Sequence, residues 1–322
     1  MKNLICFLCL VLQITFVISI DTPIIGILSL EPYAIKKFYP HLHINSYIAA
    51  SYVKFLESAG ARIIPVWIGQ DQQYYERAVR YTNGILFPGG ATYFNESKGY
   101  AEAAQIIFDI VKKLNDMGVY YPLVGICLGM QVLAYTSNDS KDIRVNCSAM
   151  KITLPLEFEE DFKESRIFRE IPNDILSDMK DKDVTYNYHE YCLTREGFEE
   201  NNLTHIWRVV TENVDKNGKR FISLMEHKKY PFYGFQFHPE KVKFEFKESL
   251  KIPHDVFSGR VTQYFADFFV GECRKNNNSF PAKDIEHKSL IYNFNPVFGS
   301  SNCTYFQLYL FTEVDTKDYQ LT

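Results

Sequence analysis

The stretch PLVGICLGMQVLAY, residues 122–135, decides the fold. Pro122–Ile126 is short, apolar and free of alternation, which predicts a strand buried on both faces. Leu128–Tyr135 follows at once and is predicted to be a helix. A buried strand that leads directly into a helix is typical of a β-α-β unit, so the stretch predicts an α/β protein with a parallel sheet.

The same rhythm precedes this stretch along the chain. Further strands are predicted at Ile24–Leu28, Arg62–Val66 and Gly84–Phe87, and further helices at Ser46–Ser58, Asp71–Arg80 and Tyr100–Leu114. The alternation predicts a doubly wound, mostly parallel sheet with helices on both faces, a three-layer α/β sandwich. Right-handed crossovers bring the loops after the strands to one edge of the sheet, where ligands bind.

The second half of the chain is less regular. The charged segment Glu157–Asp183 predicts a loop with a short helix, and the polar, Asn-rich segment Lys275–Lys288 predicts a linker or surface loop. The remaining predicted elements are β-like runs at Ile206–Thr211, Phe221–Glu226 and Phe232–Phe237, an amphipathic helix at Asp255–Glu272 and a final strand at Tyr305–Phe311. There is no internal repeat, and residues 20–322 are expected to form a single domain.

Composition narrows the class of protein. The 322 residues include 35 Lys and Arg against 39 Asp and Glu, a net charge of −4, and 46% are hydrophobic. A disordered chain would be poorer in apolar residues, which excludes that class. A nucleic-acid binder would need a basic surface to displace counterions from phosphates, and the balance of charge argues against one.

Residues 1–19 resemble a secretory signal peptide. Lys2 is their only charge, and Leu4 to Ile18 is apolar except for Gln13 and Thr15. The alternative is a membrane anchor, which would need about 20 apolar residues. We expect cleavage near Ile20, no later membrane segment, and a protein that is secreted to the extracellular space, delivered to the lysosome, or both.

Export predicts glycosylation and disulfide bonds. Six Asn-x-Ser/Thr sequons occur, at Asn95, Asn138, Asn146, Asn202, Asn277 and Asn302. Beyond Cys6 and Cys9 of the predicted signal peptide there are five cysteines, Cys127, Cys147, Cys192, Cys273 and Cys303. An odd number indicates a free, reactive thiol, and the other four could form up to two disulfides. These five form no Cys-x-x-Cys pair, which argues against a cysteine zinc site.

Gly125-Ile126-Cys127-Leu128-Gly129 is the candidate nucleophile site. Glycines two residues before and after Cys127 allow the sharp strand-to-helix turn of a nucleophile elbow, with Cys in place of Ser. A thiol at a helix N-terminus is stabilised as thiolate by the helix dipole. The alternative is a buried structural cysteine beside two packing glycines.

Phe237-His238-Pro239-Glu240 supplies a candidate base and acid. The residue before a proline is extended, so Glu240 falls on the same side of the chain as His238. A carboxylate in that position can hold one imidazole nitrogen and leave the other for a thiol, which is the arrangement of nucleophilic catalysis. Without Cys127, a surface histidine beside proline would be the simpler interpretation.

The loop Pro88-Gly89-Gly90 ends a predicted strand at the same edge. Its glycine N–H groups, together with the N–H of Leu128, can point at a carbonyl oxygen under attack and form an oxyanion hole. A Gly-Gly pair alone is usually only a turn.

The segments FPGG, GICLGMQ and FHPE, in this order, resemble the class I glutamine amidotransferase superfamily, which has a flavodoxin-like fold. Within it the chain is most similar to the gamma-glutamyl hydrolases. The closer match lies in Pro23–Leu28, Tyr47–Val66, Asn83–Gly90, Tyr230–Lys241, Ser289–Pro296 and Cys303–Phe311, so the resemblance spans roughly residues 23 to 311.

The resemblance implies a thiol hydrolase that cuts γ-amide bonds of folylpoly-γ-glutamates through a γ-glutamyl thioester on Cys127, with His238 and Glu240 completing the triad. It also implies a histidine near the substrate, matched here by His189, whose alternative is a surface loop histidine. Gln131 stands where these hydrolases carry Glu, and Tyr191 stands where Trp is expected, which affects substrate contacts and not the triad. A homodimer is implied, whereas no metal or organic cofactor is.

Two other functions compete with this one. A glutamine-hydrolysing amidotransferase subunit would share the triad, but no synthase domain is recognised in this sequence. Such subunits also work in the reducing cytosol, which the predicted signal peptide argues against. A catalytically silent binding protein would not be expected to keep Cys127, His238 and Glu240 together.

Overall fold

The computed structural model describes residues 20–318 and 321 of the chain, so the predicted signal peptide lies outside the described residues. In chain order the strands are β1 (Ile24–Leu28), β2 (Ser46–Ala49), β3 (Arg62–Val66), β4 (Gly84–Phe87), β5 (Leu123–Ile126), β6 (Val145–Leu154), β7 (Glu157–Phe158), β8 (Thr185–Cys192), β9 (Trp207–Val214), β10 (Arg220–His227), β11 (Phe232–Phe235), β12 (Val297–Phe298) and β13 (Gln307–Phe311).

The α-helices alternate with the strands through the first half of the chain. In order they are α1 (Ala50–Glu57), α2 (Gln72–Tyr81), α3 (Tyr100–Asp116), α4 (Leu128–Thr136), α5 (Asn173–Asp181), α6 (Arg195–Glu200), α7 (Lys241–Phe244), α8 (Val256–Cys273), α9 (Lys283–Ser289) and α10 (Glu313–Asp318). Side-chain caps fix three of these starts, because Asp71 accepts from the N–H of Tyr74, Thr194 from that of Gly197 and Asp255 from that of Ser258. Such a cap is worth about 1 kcal/mol.

The central sheet has eight strands in the order β3-β1-β4-β5-β11-β10-β9-β7. The first five pair in parallel, and the last three form an antiparallel edge. Helices α2, α3 and α4 pack together as one layer, and α1, α7 and α8 as another. The predicted doubly wound, three-layer α/β architecture is confirmed, with β5 between β4 and β11 at the middle of the sheet.

Most local predictions for the first half agree with the structure. The strands Ile24–Leu28, Arg62–Val66 and Gly84–Phe87 have the predicted bounds, and β5 begins one residue later than predicted. The prediction of one helix over Ser46–Ser58 is wrong at its start. Ser46–Ala49 is a strand that pairs antiparallel with β13, Leu308 opposite Ala49, and the helix begins at Ala50.

The sequence analysis missed a two-stranded ribbon formed by β6 and β8. The strands pair antiparallel outside the central sheet, with irregular register between Asn146 and Ala149. A disulfide joins Cys147 to Cys192, while Cys127, Cys273 and Cys303 are free and buried. One of the two disulfides that the sequence allowed is therefore formed.

Of the two predictions for the polar segment 275–288, linker or surface loop, the surface loop describes residues 275–282 and the linker is wrong. The C-terminal part of the segment opens α9, and Asn276 is 2% exposed. The side-chain amide of Asn83 donates to the Asn276 backbone oxygen at 3.0 Å, which anchors the segment beside the start of β4. Among the described helices, none has the length and apolar character needed to cross a membrane.

Candidate active site

Cys127 occupies a strained turn between β5 and α4. Its φ is 54° and its ψ −107°, a conformation that costs a non-glycine residue about 1–3 kcal/mol. Gly125 and Gly129 make the turn possible because neighbouring backbone atoms come too close to each of them to leave room for a Cβ. A Cβ on Gly129 would lie 1.9 Å from the carbonyl oxygen of Phe87, and one on Gly125 would lie 2.3 Å from the backbone of Gly129. The predicted elbow is therefore present, and it places the thiol at the N-terminus of α4.

His238 reaches this thiol from the loop that follows β11. Its backbone N–H donates to the Tyr186 carbonyl at 2.8 Å, which fixes the loop against β8. Its Nδ1 lies 2.7 Å from Oε1 of Glu240, and Nε2 is buried, faces Cys127 and has no nitrogen or oxygen partner among the described residues. A Cβ on Gly89 would lie 2.9 Å from Cε1 of His238 and 3.0 Å from Cβ of Cys127, so the two side chains flank the same glycine.

The triad is almost closed to solvent, and its charges depend on one another. Burial lowers the pKa of His238, but the negative charges of Glu240 and Cys127 outweigh burial and raise that pKa to about 9. Burial raises the pKa of Glu240, and the neighbouring imidazolium more than offsets this, so that the pKa of this carboxyl is lowered overall. The geometry therefore favours an imidazolium that is held by the Glu240 carboxylate beside the Cys127 sulfur.

The predicted oxyanion donors are not all available, because one N–H group of the loop Pro88-Gly89-Gly90 is bonded within the protein. The N–H of Gly89 donates to the Tyr52 hydroxyl at 2.8 Å, so it is not available to substrate, contrary to expectation. The N–H groups of Gly90 and Leu128 make no hydrogen bond with the described residues. Tyr100 holds the loop from the other side by donating its hydroxyl to the Pro88 carbonyl at 2.8 Å. Of the predicted oxyanion donors, the N–H groups of Gly90 and Leu128 thus remain candidates.

Gln131 has a structural role as well as a place in the cleft. Its side-chain amide donates to the Tyr191 carbonyl at 2.8 Å and to Oε1 of Gln236 at 3.2 Å. These bonds tie α4 to β8 and to the loop after β11, because each of the three residues belongs to a different element. The predicted substrate contact would have to use the remaining amide oxygen.

His189 lies in β8 with an oxygen atom of the protein near each ring nitrogen. Nδ1 lies 3.0 Å from the Tyr191 carbonyl and Nε2 lies 3.2 Å from Oδ1 of Asn187. Burial, and then the charge of His238, lowers its pKa to about 3, which keeps the ring neutral. Since a neutral ring has one N–H and both neighbours are acceptor oxygens, only one of the two nitrogens can donate to them. The structure places His189 as a buried strand residue in the wall of the cleft and not as the surface loop histidine of the alternative.

The cleft over Cys127 has a volume of about 550 Å³. Six of the predicted site residues line it, namely Gly90, Cys127, Leu128, Gln131, His189 and His238. Gly89 and Glu240 lie behind them. Three cationic side chains, Lys37, Arg144 and Lys241, also line the cleft, against a single carboxylate, that of Glu190. The cleft is therefore suited to an anionic ligand.

Sequence reasoning missed these cations. Arg144 directly precedes strand β6, which was not predicted. Its Nη2 forms an ion pair with Oδ2 of Asp142 at 2.7 Å, and its Cζ lies 3.8 Å from the ring centroid of Phe94. Lys241 directly follows the FHPE segment, which was a positional clue that we did not use. Within the described residues no group of His, Cys, Asp and Glu side chains is arranged to hold a metal ion.

Comparison with known proteins adds the family context. The family model of class I glutamine amidotransferases matches residues 42–251. The gamma-glutamyl hydrolase of Rattus norvegicus is 40% identical over 296 residues, which cover 90% of this chain and 89% of the relative. Gamma-glutamyl hydrolase B of Dictyostelium discoideum is 35% identical with 90% and 83% coverage, and the gamma-glutamyl hydrolase of Homo sapiens is 38% identical with 82% and 83% coverage.

Proposed function

The chain belongs to the gamma-glutamyl hydrolase family within the class I glutamine amidotransferases, and we propose that it hydrolyses the γ-amide bonds of folylpoly-γ-glutamates. The observation that carries this proposal is the buried Glu240–His238 pair, 2.7 Å apart, set against Cys127 in a strained elbow. That constellation performs acyl transfer on a carbonyl compound.

The first half of the reaction forms a thioester. The Cys127 thiolate attacks the γ-carbonyl carbon, and the oxygen takes up negative charge between the N–H groups of Gly90 and Leu128. The tetrahedral species collapses as Nε2 of His238 gives its proton to the leaving amine. The C–N bond breaks, and a γ-glutamyl thioester remains on Cys127. Because the pKa of His238 is raised to about 9, the proton is in place at the start.

The second half returns the enzyme to its resting state. His238, now neutral, removes a proton from water, and the resulting hydroxide attacks the thioester carbonyl. The C–S bond breaks, the γ-carboxylic acid leaves, and the thiolate and imidazolium are restored. Glu240 holds Nδ1 throughout, so that Nε2 always faces the reacting atoms.

The rest of the cleft supports this substrate class. Lys37, Arg144 and Lys241 give the cleft a positive balance that suits a chain of carboxylates. Tyr33 and Tyr93 are 50% and 64% exposed, and their rings are 5.9 Å apart at its mouth. They offer an aromatic surface on which a pteridine or aminobenzoyl ring can stack.

The proposal also covers the localisation, processing and assembly of the protein. Secretion or lysosomal delivery, removal of residues 1–19, a homodimer and a single domain over residues 20–322 remain part of the proposal. Five of the six sequon asparagines are exposed, and Asn138 is half-buried, so glycan attachment is sterically open at most of them. The Cys147–Cys192 disulfide is compatible with an oxidising compartment.

Hydrolysis of a defined folate pentaglutamate, followed by chromatography of the products, tests the proposal. We expect shorter folates together with glutamate or γ-glutamyl peptides, and a thioester that can be trapped on Cys127 by rapid acid quenching. Turnover of free glutamine without cleavage of the pentaglutamate would instead support the amidotransferase alternative, which the hydrolase names of the relatives do not favour.

A further inference from the structure

Lys241 is a buried cation that the triad chemistry does not use. The residue is 3% exposed, yet its ammonium group forms no hydrogen bond and no ion pair with the described residues. Its Nζ lies 4.8 Å from the centroid of the Tyr305 ring. Lys241 and Tyr305 both line the cleft over Cys127. An ammonium without an ion-pair partner in the wall of a cleft suits an anionic ligand, so this arrangement points to one.

Two neighbouring carboxylates, those of Glu240 and Glu245, do not form an ion pair with Lys241. Glu240 is bonded to His238 through Oε1, and Glu245 accepts from the backbone N–H of Phe306 through Oε2. The charge of Lys241 acts on both carboxyls and opposes the effect of burial on the pKa of Glu245, but neither forms an ion pair with it. The charge of the ammonium is therefore offset only at a distance, by Glu240 and Glu245, and the ammonium remains accessible from the cleft.

The position of Lys241 along the chain keeps its backbone close to that of His238. Its backbone N–H donates to the carbonyl of His238 at 3.3 Å, which closes a turn. The Cα atoms at the two ends of such a turn lie within about 7 Å of each other. In a γ-glutamyl donor, the α-carboxylate is separated from the γ-carbonyl by only three carbons. A carbonyl over Cys127 therefore brings its own α-carboxylate to the region of Lys241.

We propose that Lys241 binds the α-carboxylate of the glutamyl residue whose γ-carbonyl is attacked, and so makes the enzyme selective for γ-glutamyl donors. This inference rests on the proposed hydrolase function. The ring of Tyr305 covers one side of the ammonium group, and the carboxylate would bind the ammonium from the cleft. Amides without a carboxylate at that position would bind beside an unpaired charge and be rejected.

Two substrates separate this role from a structural one. One is 4-aminobenzoyl-γ-glutamylglutamate, and the other differs only by a carboxamide in place of the α-carboxylate on the donor glutamate. We expect the wild-type enzyme to prefer the carboxylate substrate by about tenfold or more in kcat/KM, as for a hydrogen bond to a charged group. Lys241→Met should remove the preference by slowing the carboxylate substrate alone.

A matched control is Lys243→Met on the same short helix, because the Lys243 ammonium donates to Gln263 at 2.5 Å, away from the cleft. Its substrate preference should equal that of the wild type. If Lys241 served only to balance Glu240 and Glu245, Lys241→Met would slow both substrates equally, and the inference would be wrong.

The outcomes also distinguish this inference from the proposed function. Cleavage of neither substrate by the wild type would contradict the hydrolase itself. Cleavage of both substrates at the same rate by the wild type would contradict only the role of Lys241. This comparison can be made without any variant. If Lys241→Met does not fold, the wild-type ratio and the uncharged variant Lys241→Gln decide the question.

Discussion

At the scale of single residues, the site depends on the charge state of one imidazole. His238 lies between the Glu240 carboxylate and the Cys127 sulfur, and it is only 4% exposed. In such a low-dielectric position each charge is strongly coupled to the next, so the three residues act as a unit. Their effects on activity should accordingly be far from additive.

Cys127→Ala removes the nucleophile without disturbing its supports. The change should lower kcat/KM on a folate pentaglutamate by about 10⁴-fold or more, since no other group here can form the thioester. Thermal unfolding should stay close to that of the wild type, and Cys303→Ala, at another buried free cysteine, should keep full activity. Residual activity within tenfold of wild type would refute the assigned nucleophile.

The pH profile should report the pKa of His238. Since that pKa is raised to about 9, the imidazolium is present below pH 9 and is lost above it. We expect kcat/KM measured from pH 4 to 10 to fall on the alkaline side near pH 9 and to persist in acid. Loss of all activity below about pH 6 would argue against work in the lysosome.

Glu240→Gln tests the cause of that raised pKa. Glu240 is the largest influence that raises the pKa of His238, so its neutralisation should move the alkaline limb to lower pH. The rate should also fall by about 10² to 10⁴-fold, the range typical of general acid–base catalysis. An alkaline limb that stays near pH 9 would show that Glu240 does not set the charge of His238.

At the scale of elements, the strand-to-helix turn was predictable from five residues, whereas the ribbon was not. Gly125 and Gly129 flank Cys127 at the spacing that the turn requires, and this signal is wholly local. Strand β6 has a mostly half-buried pattern and irregular pairing, so it lacks the alternation that marks a strand. Strand β2 pairs with β13 across about 260 residues, which no local periodicity can reveal.

Gly129→Ala should break the elbow. The added Cβ would lie 1.9 Å from the Phe87 carbonyl oxygen, which belongs to the neighbouring strand β4 and cannot yield easily. We expect the free energy of unfolding to fall by about 3 kcal/mol, at the upper end of overpacking effects, with activity falling as well.

Gly271→Ala in α8 is the matched control, because its Cβ would meet nothing within 4 Å. Alanine should raise helix stability there by up to about 1 kcal/mol. Chemical denaturation of both variants checks the pair. Equal effects on stability would show that close approach is not what requires glycine at position 129.

Removal of the ribbon disulfide should affect binding more than chemistry. Cys147→Ser combined with Cys192→Ser frees the strands that carry His189 and Tyr191 into the cleft wall, while Cys127 stays on the central sheet. We expect a loss of about 2–4 kcal/mol in stability and a raised KM with little change in kcat. A lowered kcat at unchanged KM would contradict the assignment of the ribbon to the substrate wall.

At the scale of the whole molecule, the cleft joins segments that are far apart in the chain. Lys37, Arg144, Lys241 and Tyr305 come from four regions and meet only after folding. The triad was predictable because each member sits in a short motif with its own geometry. The three cations of the cleft were not predictable, because a lysine beside a surface strand and a lysine in a cleft look alike in sequence.

The number of reactive cysteines tests the processing of the chain together with its fold. Burial raises the pKa of Cys273 well above its usual value and also raises that of Cys303, so neither should react with iodoacetamide in the native protein. Native protein should therefore take one label, at Cys127, and unfolding without reductant should give three, since Cys147 and Cys192 stay bonded.

Unfolding with reductant then decides the fate of the N-terminus. The whole sequence holds seven cysteines, of which Cys6 and Cys9 lie in residues 1–19. We expect five labels by intact-mass measurement on protein exported from a eukaryotic host, because cleavage near Ile20 removes those two. Seven labels would mean that the predicted signal peptide is retained, and five labels without reductant would mean that Cys147 and Cys192 are not bonded to each other. Either result would withdraw support for an enzyme that works outside the reducing cytosol.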